Sequence, residues 1–451
     1  MAMRLDLLKK YDLRVPRYTS YPTAPMFHGG ITSDDYAAWL AEIPEDMPLS
    51  LYAHVPFCDT LCWFCGCATK IVNRYDPVAK FLPHLLSEID LVADALGVKR
   101  SVSHMHWGGG SPTMLTAEHV RSLGAKFHEK FTLLDGAEFA VEIDPRELPF
   151  ETIQALADIG VNRASIGLQD VNEKVQIAIN RVQSMQETKA CIDGLRSVGI
   201  NQINIDLIYG LPYQTVDNVL TSVEAALSFD PGRVVLFGYA HVPGMKKHQR
   251  LIPDDALPDA GTRAKQAASA AAALINAGYI EIGLDHFARP NDPMAIAFKA
   301  GQLHRNFQGY TVDESSALIG FGPSAIGTLP NAYIQNTPAI HEYSRAVTAG
   351  KFAIHKGIAM SEDDIIHRTI IERLMCDNRV DLQAIGRRYT KEMDYFDSEL
   401  VGLKPFIEDG LVIYENNTVS MTHEGEPLVR CVAALFDQYF RIGEEKYSKA
   451  I

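Results

Sequence analysis

Short runs of β-forming residues alternate with stretches of helical periodicity through most of this chain. The runs begin near residues 48, 101, 138, 162, 202, 233 and 279, which makes about seven candidate strands. Between them lie segments such as 149–160 and 216–230, in which apolar residues recur at helical spacing. This alternation predicts an α/β fold with a parallel sheet and right-handed crossovers.

The ends of the candidate strands favour a barrel over a doubly wound sheet. Almost every strand is followed by a polar or glycine-rich segment, such as the one at 108–113. In a barrel the carboxyl ends of the strands converge on one mouth, where catalytic groups collect. We therefore expect a partial (β/α) barrel whose functional residues gather at that mouth.

The pattern changes after about residue 355. Ser361 precedes an acidic turn and can cap a helix, and the last stretch indicates a helix, a hairpin that turns at 415–417, and a final helix. Because the hairpin lacks a basic stripe, we expect a packing domain or lid rather than a nucleic-acid-binding module. The predicted units are an N-terminal arm (1–35), a catalytic barrel (36–355) and a mostly helical, winged-helix-like C-terminal domain (356–451).

The composition limits the classes of protein to which the chain can belong. A chain of 451 residues with 47% apolar residues can bury substantial cores and suggests about two or three domains. Its net charge of −14 and pI near 5.5 argue against general binding to nucleic acid or anionic membranes. No stretch approaches the roughly 20 apolar residues of a membrane span, and the first residues lack a secretion signal. We therefore expect a cytoplasmic protein.

Four of the seven cysteines fall within ten positions, at Cys58, Cys62, Cys65 and Cys67. A structural zinc site usually joins two ligand pairs across a longer spacer, so zinc fits this spacing poorly. Redox-active thiols are a second interpretation, although a single C-x-x-C pair is a weak signal. An iron–sulfur cluster fits better, because closely spaced thiolates can surround one cuboidal cluster and apolar neighbours limit solvent access.

The same spacing resembles that of the radical S-adenosylmethionine (SAM) enzymes. The match consists of Cys58-x3-Cys62-x2-Cys65, preceded by YAHVPF and with Phe64 just before the third cysteine. The additional Cys67 and a series of other segments narrow the resemblance to the oxygen-independent coproporphyrinogen III oxidase family, over nearly the whole chain. These segments are, in order, PRYTSYPTA, HWGGGSPT, EIDPRE, GLQD, NIDLIYGLP, YAHVP, DHFARP, HRNFQGYT and SAIG.

This resemblance implies a [4Fe–4S] cluster on Cys58, Cys62 and Cys65, with one iron left open for the amino and carboxylate groups of SAM. Cys67 is then a free thiol near the second SAM or the substrate. The family also implies catalytic roles for Cys67, Tyr52 and His54.

The resemblance further implies that two SAM molecules bind. Gly108, Gly109 and Gly110 lack side chains, which allows the backbone to approach a ligand closely, whereas the polar residues at strand ends are each unremarkable when considered singly. Positions that match the SAM on the cluster are Tyr52, Gly109, Glu142 and Ile326. Positions that match the second SAM are Phe64, Gly110, Ser111, Gln169, Arg181, Asp206 and Ala240.

The implied substrate is coproporphyrinogen III, a reduced tetrapyrrole with four propionates, two of which are oxidatively decarboxylated to vinyl groups to give protoporphyrinogen IX. Such a ligand needs a largely apolar cavity with a few cationic or donor groups. The candidates are Arg14, Arg17, Arg289, His304, Arg305 and Gln308. The family also suggests a monomer that receives electrons from a carrier such as a flavodoxin or ferredoxin.

Two other functions compete with this interpretation. A haem-binding carrier of the same superfamily lacks the additional cysteine and the arm with PRYTSYPTA, and both are present here. A nucleic-acid-associated regulator would use the C-terminal wing. Turnover of SAM with coproporphyrinogen III distinguishes the enzyme from both.

Overall fold

The computed structural model of the chain describes residue 7, residues 10 and 11, and residues 13–146 and 148–441. Its strands are β1 Leu49–Val55, β2 Phe57–Cys58, β3 Lys70–Ile71, β4 Arg100–Gly109, β5 Phe131–Ile143, β6 Arg163–Gln169, β7 Gln202–Tyr209, β8 Arg233–Gly238, β9 Ile280–Ile282, β10 His286–Ala288, β11 His304–Asn306, β12 Gly309–Thr311, β13 Leu318–Phe321, β14 Ile326–Leu329, β15 Ala332–Asn336, β16 Ile354–Ala359, β17 Arg379–Asp381, β18 Val412–Glu415 and β19 Thr418–Met421. Its helices are α1 Ser33–Ala41, α2 Asp76–Leu96, α3 Ala117–Lys130, α4 Phe150–Asp158, α5 Glu173–Ala178, α6 Met185–Ser197, α7 Val216–Leu227, α8 Ala260–Asn276, α9 Pro293–Lys299, α10 Ile340–Thr348, α11 Glu362–Asp377, α12 Leu382–Arg388, α13 Asp397–Glu408 and α14 Val429–Ala433. Within these described ranges, every helix is too short or too polar to cross a membrane.

The centre of the molecule is a sheet in the order β16-β15-β14-β13-β1-β4-β5-β6-β7-β8-β10-β9. The central strands of this sheet pair in parallel with one another, and the strands beyond them at both edges pair antiparallel; the parallel strands are β13, β1, β4, β5, β6, β7 and β8. The sheet is open, as expected for a partial barrel. The predicted α/β fold is therefore confirmed, and the carboxyl ends of the parallel strands form one mouth.

The candidate strand near residue 279 is the exception among the sequence predictions. It contains two short antiparallel strands, β9 and β10, because the chain turns back between them at Gly283, which has φ +60°. The seventh parallel strand is instead β13, which has only four residues and was not predicted. Its short apolar run is too weak a signal to be recognised without its partner β1.

The alternation of side chains along the parallel strands places polar groups inside the barrel. Phe139, Val141 and Ile143 of β5 lie in the apolar core on the side of the helices. Glu138 and Glu142 therefore face the interior, because successive residues of a strand point to opposite sides. The same parity directs inward a set of residues from β4 and from β1, the next two strands in the sheet, namely Ser50, Tyr52 and His54 of β1 and His104, His106 and Gly108 of β4.

A second apolar core joins the N-terminal arm to the C-terminal domain. Leu7, Tyr11 and Val15 of the arm are buried with the helices of residues 362–436. The buried Arg430 donates hydrogen bonds to the backbone carbonyls of Val15 and Pro16. These contacts fasten the arm to the C-terminal helices.

The predicted hairpin in the C-terminal domain is present. Strands β18 and β19 pair around a turn at Asn416 and Asn417, which have φ +51° and +59°. Two successive positive φ angles are typical of the tight hairpin turn that favours asparagine. Strand β17 completes a three-stranded sheet beside helices α11–α13, although the exact domain limits remain a prediction.

A buried carboxylate connects α2 to the loop that follows β13. Glu88, which is 2% exposed, accepts hydrogen bonds from the Gly322 N–H, the Asn336 amide and the Tyr343 hydroxyl, each at 2.6 Å. Burial raises the pKa of Glu88 to about 7, while the three donors oppose this rise. Gly322 lies against the His54 backbone, where a Cβ would come within 2.4 Å of the carbonyl oxygen. Glu88 thus supports one side of the mouth.

We expect Glu88→Gln to lower the free energy of unfolding by about 1–3 kcal/mol, because the new NH2 group would face a donor and leave it unsatisfied. Urea denaturation monitored by circular dichroism measures the change. Glu224→Gln, on the exposed face of α7, is the matched control and should be neutral. Equal stability of both variants would contradict the assigned role of Glu88.

Candidate active site

The cysteine loop (residues 58–67) lies at the mouth and is held by backbone contacts with its neighbours. Asn180 donates a hydrogen bond to the Leu61 carbonyl at 2.9 Å, and the Trp63 N–H donates to Ile179 at 2.8 Å. At the start of the loop, the Val72 N–H donates to the Cys58 carbonyl at 3.0 Å. The position of the loop is therefore set by the segment between β6 and α6, as well as by the short β2–β3 pair.

The first three thiols of the loop have donors that suit a thiolate. The Thr69 hydroxyl lies 3.2 Å from the Cys58 sulfur, and Arg181 Nη1 lies 3.6 Å from the Cys62 sulfur. The Cys65 sulfur accepts from the Cys67 N–H at 3.3 Å. Such donors stabilise negative sulfur, which is the form that binds iron. The three residues thus fit the protein ligands of an iron–sulfur cluster.

In the part of the chain that the structure describes, no three His, Cys, Asp or Glu side chains converge closely enough to hold a single metal ion. The ligands of a [4Fe–4S] cluster bind different iron atoms, so the fit of the thiols is judged on their shared loop and their donors. Cys67 differs from the others because it lies exposed at the end of the loop.

The first two glycines of the triplet allow side chains of neighbouring strands to approach the backbone. A Cβ at Gly108 would lie 2.6 Å from a Glu142 carboxylate oxygen, and one at Gly109 would lie 2.4 Å from the His54 ring. Gly109 also has φ +105°, which disfavours any other residue. Glycine is therefore required here by the packing of Glu142 and His54.

The rest of the glycine segment packs on the start of the cysteine loop. The Gly110 N–H donates to the Val55 carbonyl at 2.8 Å, and the Ser111 N–H donates to Phe57 at 2.7 Å. A Cβ at Gly110 would lie 2.4 Å from the Phe57 carbonyl oxygen. The Ser111 hydroxyl is 2.7 Å from that of Thr113. These contacts bring Gly110 and Ser111 directly beside the strand that leads to Cys58.

Glu142 is a carboxylate at the centre of the mouth. One of its oxygens lies 3.2 Å from His106 Nε2, and the other accepts from the Gly109 N–H at 3.1 Å. Burial raises the pKa of Glu142, but the hydrogen bond and charge of His106 outweigh this, so the pKa lies below its ordinary value. The side chain is 43% exposed, so it can still accept hydrogen bonds from a ligand.

Gln169 and Asp206 lie on β6 and β7, the two strands that follow β5 in the sheet. Asp206 accepts from the Ser165 hydroxyl at 3.2 Å, and burial together with the nearby charge of Glu142 raises the pKa of Asp206 to about 7. Gln169 ends β6 with φ +66°, and its buried side-chain oxygen accepts no hydrogen bond from any residue described. An acceptor left unsatisfied at a buried position indicates a site for a donor from outside the chain.

Arg181 connects the mouth to the cysteine loop. Its guanidinium donates to Asp144 at 2.9 Å, to the Gly167 carbonyl at 2.7 Å and towards the Cys62 sulfur. Arg146 shares Asp144, with a distance of 2.6 Å between the charged groups. Burial raises the pKa of Asp144, but the two arginines outweigh this and lower it overall. The arginine is thus fixed in place before any ligand binds.

Tyr52 and His54 lie on the floor of the mouth. The Tyr52 hydroxyl is 3.0 Å from His54 Nδ1, and His54 Nε2 is 2.9 Å from the Ala68 carbonyl. Burial lowers the pKa of His54, which favours the neutral ring. Tyr52 is in register with Gly320, which in turn lies against the Ile326 backbone. Tyr52, Gly109, Glu142 and Ile326 therefore surround the same side of the mouth.

Phe64 and Ala240 are joined by a residue that the sequence did not point to. The Gln249 side-chain amide donates to the carbonyls of both residues, each at 3.1 Å. Gln249 is 1% exposed and its oxygen also accepts from the Val242 N–H at 2.6 Å. No sequence motif marks this glutamine, because its role depends on contacts between segments far apart in the chain.

Two of the predicted substrate residues meet at the carboxyl end of β8. Arg17 Nη2 donates to the Gly238 carbonyl at 3.2 Å, and Arg305 Nη2 donates to the Arg17 carbonyl at 3.3 Å. Arg305 Nε and Nη1 are buried and hydrogen-bond to no described residue. Arg263 joins this group, since it donates to the Tyr239 carbonyl at 2.9 Å. Arg14 is exposed on the arm.

The remaining candidates are dispersed. His304 lies 3.0 Å from Glu372, whose hydrogen bond raises the pKa of the histidine. Gln308 borders a cavity of about 30 Å³ inside the barrel. Arg289 pairs with Asp230 at the amino end of β8. Because β10 runs antiparallel to β8, the chain leaves Arg289 at the edge of the sheet opposite the mouth, and it does not join the other candidates.

His106 was also missed, although the sequence carries a signal for it. The segment HMHWGGG places His106 two residues before Gly108, and therefore on the same face of β4. Asp144 and Arg146 lie in the same EIDPRE segment as Glu142. Strand parity would have selected His106, whereas the contact of Arg146 with Asp144 needs the tertiary structure.

Similarity to known proteins extends over the whole chain. Residues 52–226 match the model of the radical SAM superfamily. The oxygen-independent coproporphyrinogen III oxidase of Bradyrhizobium diazoefficiens is 48% identical over 100% of both chains. The chain belongs to the oxygen-independent coproporphyrinogen III oxidase family. The relative from Salmonella typhimurium is 39% identical and covers 97% of this chain and 95% of its own.

A solved structure also resembles this one. The coproporphyrinogen III oxidase of Escherichia coli, described as a radical SAM enzyme, superimposes with a TM-score of 0.92 at 36% identity. The match covers 98% of this chain and 100% of the other. The resemblance inferred from the cysteine spacing and the ordered segments is therefore confirmed, and so is membership in the radical SAM superfamily.

We expect Gly109→Ala to destabilise this family member more than Gly136→Ala. Both glycines have positive φ, at +105° and +80°, but a Cβ at Gly136 meets nothing within 4 Å, whereas one at Gly109 collides with His54. Strained backbone costs about 1–3 kcal/mol in each case, and overpacking adds a similar amount only at Gly109. Urea denaturation of both variants compares them. Equal losses would mean that His54 does not restrict Gly109.

Proposed function

We propose that this protein converts coproporphyrinogen III to protoporphyrinogen IX without oxygen, by oxidative decarboxylation of two propionates to vinyl groups. The observation that carries the proposal is the cysteine loop beside Glu142 and the glycine triplet, in a chain 48% identical to an oxygen-independent coproporphyrinogen III oxidase over its full length. A haem carrier is disfavoured, because the additional Cys67 and the arm are both present.

Cys58, Cys62 and Cys65 would hold a [4Fe–4S] cluster, and Cys67 would remain a free thiol close to the reactants. When bound, the cluster would supply the single electron for the reductive cleavage of SAM. Thr69 and Arg181 stabilise the thiolates, and the apolar residues around the loop limit access of water.

Two SAM molecules are part of the proposal. The first would lie between Tyr52, Gly109, Glu142 and Ile326, where Glu142 accepts hydrogen bonds from the ligand and the glycine backbone approaches it. His106 keeps Glu142 ionised and oriented. The second would be surrounded by residues from both sides of the mouth, namely Phe64, Gly110, Ser111, Gln169, Arg181, Asp206 and Ala240.

The unsatisfied oxygen of Gln169 supports the second site, because it needs a donor. Arg181 is held by Asp144 and Gly167, so it can bind a carboxylate without losing the entropy of an unrestrained side chain. We propose that Tyr52 and His54 act by positioning, since His54 is packed under Gly109.

The propionates of the substrate would bind at the arginine group near Gly238. Arg17, Arg305 and Arg263 present guanidiniums there, and Arg305 has two buried N–H groups that a carboxylate can satisfy. Asp285 is an acid close to Arg17 and Arg305, and although burial raises the pKa of this carboxyl, His286 and these two arginines lower it overall. The buried nitrogens of Arg305 that lack a hydrogen-bond partner among the described residues favour an anionic ligand.

Three further residues belong to the proposed substrate contacts. Arg14 lies on the arm, His304 lies on β11 beside Glu372, and Gln308 lies between β11 and β12. We also propose that the protein is a monomer and takes single electrons from a carrier protein. We place it in the cytoplasm, because radical chemistry on thiolate-bound iron requires a reducing compartment.

Anaerobic reconstitution tests the proposed function directly. Protein supplied with iron, sulfide, SAM, a reductant and coproporphyrinogen III should release two molecules of CO2 for each protoporphyrinogen IX formed. The products are separated by liquid chromatography after oxidation to fluorescent porphyrins. Cleavage of SAM without any change in the porphyrinogen would exclude this substrate, and binding of haem without cleavage of SAM would favour the carrier.

We expect Cys58→Ser, Cys62→Ser and Cys65→Ser each to abolish the cluster, because only two thiolates would remain. Cys67→Ser should retain about the full iron and sulfide content, since this thiol is not a ligand in the proposed site. Iron and sulfide analysis with visible absorbance measures the outcome. Loss of the cluster from Cys67→Ser would instead mean that Cys67 is a fourth protein ligand, which would leave no iron open to SAM.

The affinity for SAM should depend on pH through Asp206. Its pKa is about 7 in the free protein, and the ionised form is the better acceptor for SAM hydroxyls. The affinity should therefore fall as the pH decreases from 8 to 6, by at most about tenfold per unit. In calorimetric titrations the SAM affinity of Asp206→Asn should no longer change with pH through this group. Glu142→Gln should shift this dependence to lower pH, because loss of the Glu142 charge lowers the pKa of Asp206. Parallel profiles of wild type and Asp206→Asn would exclude Asp206 from the site.

A further inference from the structure

A basic segment covers the outer side of the cysteine loop. Residues 244–251 (GMKKHQRL) lie between β8 and α8 and contain three Lys or Arg residues, one histidine and no acid. Lys246 Nζ is 3.2 Å from the Cys67 carbonyl, and His248 Nε2 is 2.8 Å from the Cys65 carbonyl. The segment therefore lies in direct contact with the part of the loop that would hold the cluster.

The outward side of this segment is available to a partner. Lys247 and Arg250 are exposed. Two large apolar side chains accompany them, since Met245 is 70% exposed and Leu251 is 55% exposed. Cations next to exposed apolar groups are the composition expected of a docking surface. The acids closest in sequence, Asp254 and Asp255, follow the segment and line a pocket together with Gly244 and Arg250.

The positive charge of the segment contrasts with the negative net charge of the whole chain. A protein with a net charge of −14 repels other acidic proteins in general, so an acidic partner approaches productively only where the local charge is positive. Small interfaces, below about 1,200 Å², are typical of transient electron-transfer encounters. Residues 244–251 are positively charged, expose five of their eight residues and contact Cys65 and Cys67, so they fit a small, charge-guided encounter beside the loop.

We propose that residues 244–251 are the docking surface for an acidic one-electron carrier protein, an inference that rests on the proposed function. The reduced flavin of such a carrier would pass one electron to the cluster. The flavin hydroquinone anion becomes the neutral semiquinone, the cluster charge decreases from 2+ to 1+, and no covalent bond or proton is exchanged.

The buried Gln249 acts as the anchor of this surface. It binds the backbone of Phe64 on the cysteine loop as well as that of Ala240 and Val242. The exposed side chains are therefore held at a fixed distance from the loop. Because Lys247 and Arg250 are exposed neighbours of this anchor, both can be changed without altering the loop contacts.

The variant Lys247→Glu/Arg250→Glu tests the proposal by stopped-flow absorbance of the reconstituted protein, mixed anaerobically with a reduced flavodoxin. The second-order rate constant for cluster reduction should fall at least about tenfold at low ionic strength. The wild-type rate should decrease as salt increases, and the variant should show less of this dependence. Reduction by dithionite, a small anion that needs no docking surface, should proceed to the same extent in both proteins.

The matched control is Lys351→Glu/Lys404→Glu, which makes the same change in net charge at two exposed lysines outside the segment. A slow rate in the Lys247→Glu/Arg250→Glu variant alone would support the proposal. Equal slowing in the control, an unchanged rate in the test variant, or loss of dithionite reduction would overturn it. Normal cluster reduction without conversion of coproporphyrinogen III would instead count against the proposed function and leave the docking surface supported.

Discussion

The site depends on the close approach of three glycines to side chains and backbone of neighbouring strands. Gly108 lies against Glu142, Gly109 against His54 and Gly110 against Phe57, at distances that exclude a Cβ in all three cases. This packing brings the Gly109 N–H within 3.1 Å of Glu142. Support comes from outside the mouth, because Glu88 holds the Gly322 N–H and Gly322 packs on His54. A buried carboxylate on an outer helix thus helps to define the floor of the site.

Most of the charged side chains in the mouth are held by a partner of opposite charge. Asp144 fixes Arg181 beside Cys62, and His106 keeps Glu142 ionised. Asp206 is different, since burial and the charge of Glu142 raise its pKa to about 7. Its protonation state can therefore change near neutral pH. Further out, the arginines near Gly238 and the basic segment 244–251 give an acidic chain two local positive regions. One suits a substrate with several carboxylates, and the other suits an acidic electron carrier.

The sequence predicted those features that depend on local spacing. A single short stretch of sequence is enough to predict each of these features, which are the cysteine loop, the glycine triplet, six of the parallel strands and the hairpin at 415–417. Features that depend on contacts between distant segments could not be predicted in this way. Gln249 acts through Phe64 and Ala240, and β13 becomes recognisable only beside β1. Arg289 was a candidate substrate residue because it is a cation, but β10 is antiparallel and leaves it at the edge of the sheet opposite the mouth.

The central claim is that the cysteine loop leaves one iron open and that the glycine triplet and Glu142 hold SAM against it. Electron–nuclear double resonance of the reduced, reconstituted protein tests this claim most directly, with SAM labelled with 15N in the amino group and 17O in the carboxylate. The account predicts hyperfine coupling of both nuclei to the cluster, since both groups bind the open iron. A cluster signal that is identical with and without labelled SAM, at concentrations that saturate binding, would contradict it.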